Sequence, residues 1–160
     1  MPELKKIKKI APLKIIIRRL KQQGKSVVFT NGCFDLLHIG HVRYLAKAKQ
    51  KGDILVVGLN SDSSVRRLKG RLRPLVCQHD RAGILAGLAS VDYVVIFNQA
   101  TPFKIIKALQ PDVLVKGADW PKLAIVGAEF VRGYGAKVAT IPLVAGRSTT
   151  KLIKKIARRY

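Results

Sequence analysis

Acidic side chains are scarce in this chain: nine Asp and Glu face 31 Lys and Arg, which leaves a formal charge of +22 at pH 7. A surplus of that size concentrates anions of every kind, nucleotides, sugar phosphates, nucleic acid and acidic lipid head groups alike, and does not choose among them. Cysteine is equally thin. Cys33 and Cys77 are too few and too unpatterned for a disulfide framework or a zinc motif, which points to a reducing compartment. No apolar run approaches the roughly 20 residues that cross a bilayer, and the first residues lack the apolar block and small-residue cleavage site of a secretory signal. Membrane insertion and export are therefore not expected, and a cytoplasmic location is. Aromatics make up 6% of the residues, and the basic arm carries none interleaved with its cations, so the stacking signature of a nucleic-acid binder is weak.

What is present fits one compact domain. The 160 residues are 48% hydrophobic and 25% charged, a globular balance with room for a single core. Much of the positive charge sits at the ends. Residues 1–25 pair Lys5, Lys6, Lys8, Lys9, Lys14, Arg18, Arg19 and Lys21 with Leu13, Ile16, Ile17 and Leu20 at helical spacing. The last residues repeat the pattern with Leu152, Ile153 and Ile156 among Lys151, Lys154, Lys155, Arg158 and Arg159. Both read as amphipathic helices with solvated basic faces. Between them, Val- and Ile-rich runs at 26–30, 53–59, 93–97, 113–115 and 137–141 read as buried strands. Helix patterns at 39–50, 78–88, 102–109 and 124–134 fill the gaps. That alternation predicts an α/β fold, a Rossmann-like three-layer α/β/α arrangement of a five-stranded parallel sheet over residues 26–160. Ligands in such folds collect beyond the carboxyl ends of the strands, where 31–41, 60–62 and 116–120 fall. Residues 70–77 read as a mobile loop.

The stretch VVFTNGCFDLLHIGH at 27–41 is the most informative. It runs a strand pattern into a glycine-bearing turn and places His38 and His41, two of only three histidines, at the start of a helix pattern. Both imidazoles fall on one face of a first helical turn, where N–H groups and the helix dipole already favour an anion. Gly32 permits close backbone approach after the strand, and Gly40 leaves space beside the rings. Two other readings compete: a pair of helix-cap or core histidines, and a zinc site with Asp35, Cys33 or His79 as a third ligand, although the usual metal-ligand spacing is missing.

Five motifs in order, TNGCFDLLHIGH, GDILVVGLNSDSSVRRLKGRLRPL, DRAGILAGLASVDYVVIF, PDVLVKGADW and GRSTTKLIKKI, carry a resemblance to the H-x-G-H nucleotidylyltransferases. The chain is most similar to their heptose 1-phosphate adenylyltransferases, over nearly its whole length. The resemblance implies transfer of AMP from ATP to D-glycero-β-D-manno-heptose 1-phosphate, giving ADP-heptose and pyrophosphate for lipopolysaccharide core synthesis. His38 and His41 would then bind the α-phosphate during in-line attack, and Lys69, on the loop, would neutralise the reacting phosphates with Arg73 as a helper. Arg147, Ser148, Thr149 and Thr150 would hold the β- and γ-phosphates at a helix N-terminus, where plain N-capping is the rival reading. Asn31, Gly32, Phe34, Asp35 and Gly40 would line the nucleotide pocket, with Lys116 and Asp119 at the base and ribose. Arg81 matches an arginine near the active site, against the alternative of a solvated helix residue. Mg²⁺ would accompany ATP, held mainly by phosphate oxygens and water.

Within the resemblance, Asn31 and Cys33 separate subfamilies: cytidylyltransferases for small phosphorylated alcohols usually read G-T-F-D where this chain has G-C-F-D. A cytidylyltransferase for glycerol 3-phosphate is accordingly the first alternative, and a basic nucleic-acid-binding module the alternative of another class. Cys33 reads as a packing residue, not a nucleophile. Many relatives carry a sugar kinase ahead of this domain. None precedes it here, so separate kinase and phosphatase proteins are expected upstream, and a homodimer is the expected assembly.

Overall fold

The computed structural model describes residues 2–119, 121 and 124–159. A short 3₁₀ turn, Pro2–Lys6, leads into α1, Ile10–Gln22. Then follow β1 (Val27–Gly32), α2 (Ile39–Lys49), β2 (Ile54–Asn60), α3 (Asp62–Lys69), α4 (Gln78–Gly87) and β3 (Tyr93–Phe97). The chain continues with α5 (Phe103–Leu109), β4 (Val113–Gly117), α6 (Ala128–Gly133), β5 (Lys137–Ile141) and α7 (Thr149–Ala157). The strands form one five-stranded sheet in the order β3-β2-β1-β4-β5, every neighbouring pair parallel. The expected α/β architecture is therefore present.

Alternating side chains along each strand feed two separate cores. Val28, Leu55, Val57, Val94, Val113 and Val115 point to one face and pack with Tyr44 and Leu45 of α2 and Leu85 of α4. Val27, Phe29, Val56, Val95 and Leu114 point to the other, against Leu13 and Ile17 of α1, Ile105 and Ile106 of α5 and Val131 of α6. A strand covered on both faces has no reason to alternate polar and apolar residues, which explains the continuous apolar runs.

Three differences from the sequence pattern bear on the site. An additional helix, α3, follows β2: Ser61 caps it by accepting a hydrogen bond from the Ser64 N–H, and Asp62 favours the positive end of its dipole. Lys69 is consequently the last residue of a helix and not part of a loop. The helix expected over 124–134 begins at Ala128, because Gly127, with φ of 84°, takes a left-handed turn just before it. Trp120, expected beside the nucleotide, lies outside the described residues.

The central pairing is incomplete. β1 pairs with β2 along its whole length, from Val27 opposite Ile54 to Gly32 opposite Leu59. With β4 it pairs only at Val28 opposite Val113 and Phe29 opposite Leu114. Beyond those residues the two strands part, which opens a crevice at the carboxyl end of the sheet where the strand order reverses.

Candidate active site

The loop from β1 into α2 occupies that crevice. His38 is the N-cap of α2, and its carbonyl accepts the His41 N–H at 2.9 Å, so the two residues share the first turn. Their rings stack, with centroids 4.0 Å apart and planes 18° from parallel, and Phe34 meets the His41 ring edge-on at 5.4 Å. Gly40 makes this possible: a Cβ there would come within 2.9 Å of Cε1 and Nδ1 of His38 and 3.4 Å of Cβ of Arg147. The missing side chain is filled by an imidazole from one side and by the approach to α7 from the other. Phe34 holds φ at 44°, a left-handed conformation that a bulky residue keeps only when its surroundings enforce it. Its buried ring packs over Gly32, where a Cβ would stand 3.0 Å from Cε2. A buried hydrogen bond of 2.7 Å between Tyr44 and Thr30 ties α2 to β1 from below.

The site is built for a ligand that brings polar atoms. Among the described residues, the buried side-chain atoms without a hydrogen-bond partner are Nδ1 of His38, Nδ1 of His41 and Oδ1 of Asn31. Buried polar atoms are normally paired, so three orphans at one strand end mark where partners arrive from outside the chain. Burial and then the nearby Arg147 lower the His38 pKa; burial and then His38 push His41 down to about 4. Both rings are therefore neutral at pH 7, able to donate one N–H each without mutual charge repulsion.

The other expected residues are placed with varying closeness. Lys116, the next-to-last residue of β4, donates to the Asn31 carbonyl at 3.3 Å, spanning the crevice; burial lowers its pKa against the pull of Asp119. Asp119 is exposed just beyond, and its Oδ1 lies 2.4 Å from where a Cβ on Gly117 would stand. Thr149 donates to the Leu36 carbonyl at 3.1 Å and Ser148 caps α7 through the Lys151 N–H, so the RSTT stretch abuts the histidine loop. Arg147, Ser148 and Thr150 are exposed there. Burial raises the Cys33 thiol pKa, opposed chiefly by Lys69 and then Arg81 and Arg73, so the cation at the C-terminal end of α3 and the one in the segment after it act on the β1 loop.

Two residues do something other than face the crevice. Arg81 is fully buried, not solvated. Its guanidinium donates to the carbonyls of Cys33, Asn60 and Val76 at 2.5, 2.9 and 2.9 Å and to Asp62 at 2.7 Å, joining the loops after β1 and β2 to the segment before α4. Asp35 is also buried, and its oxygens accept from Arg73, Leu75 and Val76. The sequence carries no local sign of Asp62 as a partner for Arg81, beyond its place in a capped first turn.

The sequence profile of the cytidylyltransferase-like family matches residues 29–154, a span that contains the histidine loop, the crevice and most of α7. The chain belongs to that family. Among relatives of this cytidylyltransferase-like chain, the bifunctional protein HldE of Geobacter metallireducens is 56% identical over 155 residues, 97% of this chain and 32% of the relative. The bifunctional protein HldE of Wolinella succinogenes is 54% identical over 141 residues, 88% of this chain and 29% of the relative. The chain thus spans about a third of the length of the curated relatives it matches. Among solved structures, the lipopolysaccharide core biosynthesis protein from Thermoplasma volcanium superposes with a TM-score of 0.62 at 27% identity, covering 76% of this chain and 98% of that one. The fold and family expected from the five motifs are both present, and membership makes the chain a nucleotidyltransferase.

Proposed function

We propose that this chain is an adenylyltransferase that joins AMP from ATP to a heptose 1-phosphate, releasing pyrophosphate and forming ADP-heptose. The observation that carries the reading is the stacked pair of neutral imidazoles with orphaned ring nitrogens at the N-terminus of α2, facing the N-terminus of α7. A phosphate chain fits between two helix starts, which meet it with main-chain N–H groups. The choice of heptose rests on the N-G-C-F-D sequence and on the likeness to HldE proteins.

In this reading His38 and His41 donate to oxygens of the α-phosphate. A 1-phosphate oxygen of the sugar attacks the α-phosphorus in line, the new P–O bond forms, and the bond to the β-phosphate breaks with its electrons leaving on pyrophosphate. Neutral donors are suited to the task because their hydrogen bonds strengthen as charge grows on the α-phosphate oxygens. Arg147, Ser148, Thr149 and Thr150 hold the leaving β- and γ-phosphates, and Lys69, with Arg73, offsets charge between the two substrates. Asn31, Gly32, Phe34, Gly40, Lys116 and Asp119 surround the nucleotide. Mg²⁺ would accompany ATP and offset the triphosphate charge, held mainly by phosphate oxygens and water. Among the described residues no helix is long and apolar enough to cross a membrane, and the substrates are those of the cytoplasm, where we place the reaction.

Pyrophosphate release measured with each of ATP, CTP, GTP and UTP against heptose 1-phosphate and glycerol 3-phosphate tests the assignment. Turnover is expected with ATP and the heptose. Turnover with CTP and glycerol 3-phosphate alone would transfer the chain to alcohol-phosphate chemistry, and steeply salt-dependent nucleic-acid binding without turnover would remove it from catalysis.

A further inference from the structure

Asp35 stands three residues before His38, in the middle of the loop that carries the imidazoles, yet its carboxylate is taken up by the segment that follows α3. It is 3% exposed. Oδ2 accepts from Nε of Arg73 at 2.5 Å and from the Leu75 N–H at 3.1 Å, while Oδ1 accepts from the N–H groups of Leu75 and Val76 at 2.8 and 3.0 Å. Burial alone would raise its pKa; the two amides and the guanidinium outweigh that and hold it below the ordinary carboxylate value. Its acceptor capacity is used up by one short segment of chain. A carboxylate so occupied has little left for a ribose hydroxyl, and its charge would repel a triphosphate.

The segment it grips has few other attachments. Leu72 is 89% exposed and Leu75 54% exposed, so 70–76 contributes little to either core. Besides Asp35, Arg81 holds it by donating to the Val76 carbonyl at 2.9 Å, and the Gly70 N–H joins its start to the Arg66 carbonyl of α3. The segment nevertheless begins where Lys69 ends α3, and Lys69 and Arg73 are, with the buried Arg81, the cations whose field reaches the Cys33 thiol beside the histidine loop. A polar clasp therefore holds Arg73 directly, and with it the segment that leads away from Lys69.

We infer that Asp35 is a positioning residue: it latches the segment from Lys69 to Val76 onto the loop bearing His38 and His41, so that the cations of the segment stand beside the reacting phosphates. The latch itself needs only the contacts above, whereas its catalytic consequence rests on the adenylyl-transfer reading. Three donors make four charge-assisted hydrogen bonds to one carboxylate, and such bonds are about twice as strong as neutral ones. Replacing the acid by its amide removes the charge and sets an NH₂ group against a donor, which releases the segment without leaving a cavity.

The test compares Asp35→Asn with the wild type in two ways. Hydrogen exchange of the free protein is expected to show the Leu75 and Val76 amides exchanging at least about tenfold faster, with β1 and β2 unchanged. Steady-state kinetics are expected to show kcat lowered about 10²-fold with KM for ATP nearly unchanged, the mark of misplaced catalytic groups. Unchanged exchange at Leu75 and Val76 overturns the latch, and a rise in KM for ATP with unchanged exchange would make Asp35 a nucleotide contact instead. Should Asp35→Asn fail to fold, Arg73→Gln opens the clasp from the other side. It is expected to speed exchange of the same amides by a smaller factor, and no acceleration there overturns the inference. A wild-type protein that turns over no nucleotide leaves the exchange result intact and removes only the catalytic consequence, so the two failures are distinguishable.

Discussion

The two helix starts that frame the crevice are held in different ways. The α2 side is locked: Phe34 and Asp35 are buried, Thr30 and Tyr44 bond beneath the histidines, and Arg81 binds three carbonyls around them without any exposure of its own. The α7 side rests on the surface, with no buried residue in the helix and with Thr149 donating to the Leu36 carbonyl as its bond to the locked loop. Rigid and loosely held groups suit different tasks. Groups that must meet a developing charge gain from fixed geometry, since they then cost no reorganisation as the reaction proceeds. Groups that hold a departing anion gain from being able to let go, and a helix with little buried surface opens at low free-energy cost. The division matches a reaction in which the α-phosphate stays and pyrophosphate leaves.

Substitutions on the two sides should therefore differ in kind. The largest effect is expected from His41→Ala: kcat for pyrophosphate release drops about 10³-fold while unfolding by urea moves little, because the ring is an unsatisfied donor site and not a structural tie. Retention of near wild-type turnover would dissolve the contrast at its centre. Arg81→Met comes next, leaving three carbonyls and the Asp62 carboxylate without their partner; a loss of about 3–5 kcal/mol in urea unfolding is expected, and less than about 1 kcal/mol would mean that the locked side is not locked by Arg81.

Acid should loosen the locked side by itself. The unfolded His41 takes a proton near its ordinary value of 6.5, the folded one only near 4, so the unfolded chain binds more protons between those limits. Stability should fall as pH drops from 6.5 toward 4, and the lowered pKa of His38 adds in the same direction. Thermal unfolding followed across that range, with and without ATP, checks the sign; a Tm that rises on acidification would show the imidazoles charged in the folded state. The smallest effect belongs to α7. Ser148→Ala removes the cap from a helix with no fully buried residue, so global unfolding should shift by less than about 0.5 kcal/mol while KM for ATP rises a few-fold. A large loss of global stability would show that α7 is part of the cooperative core after all.

Much of this molecule could be read before it was seen, and the exceptions have a common cause. The strands announced themselves through Val and Ile runs because both faces of the sheet are covered, and His38, His41 and Gly40 stood out because their spacing is local. α3 escaped notice although Ser61 and Asp62 are ordinary start signals, because its sequence, DSSVRRLK, offers Val65 as its buried apolar anchor and otherwise looks solvated. Lys69, read as a loop residue from sequence, belongs to the same helix. Asp35 and Arg81 are the hardest to read: the motif sets Asp35 at the nucleotide, and Arg81 on a helix pattern suits a substrate contact or solvent equally. Their partners lie far off in the chain, Leu75 and Val76 some 40 residues from Asp35 and Cys33 48 from Arg81. A charged residue is buried when distant backbone groups converge to satisfy it, and no local pattern records that convergence.

The early parting of β1 from β4 has a consequence for how this crevice can change. Past Phe29 and Leu114 the two strands become facing edges inside a sheet, their main-chain groups turned toward each other across a gap that Lys116 bridges to the Asn31 carbonyl. The opening is made by backbone, and backbone is common to every residue type. Replacing side chains around it can reshape what fits, but the cleft itself disappears only if the two strands are zipped together.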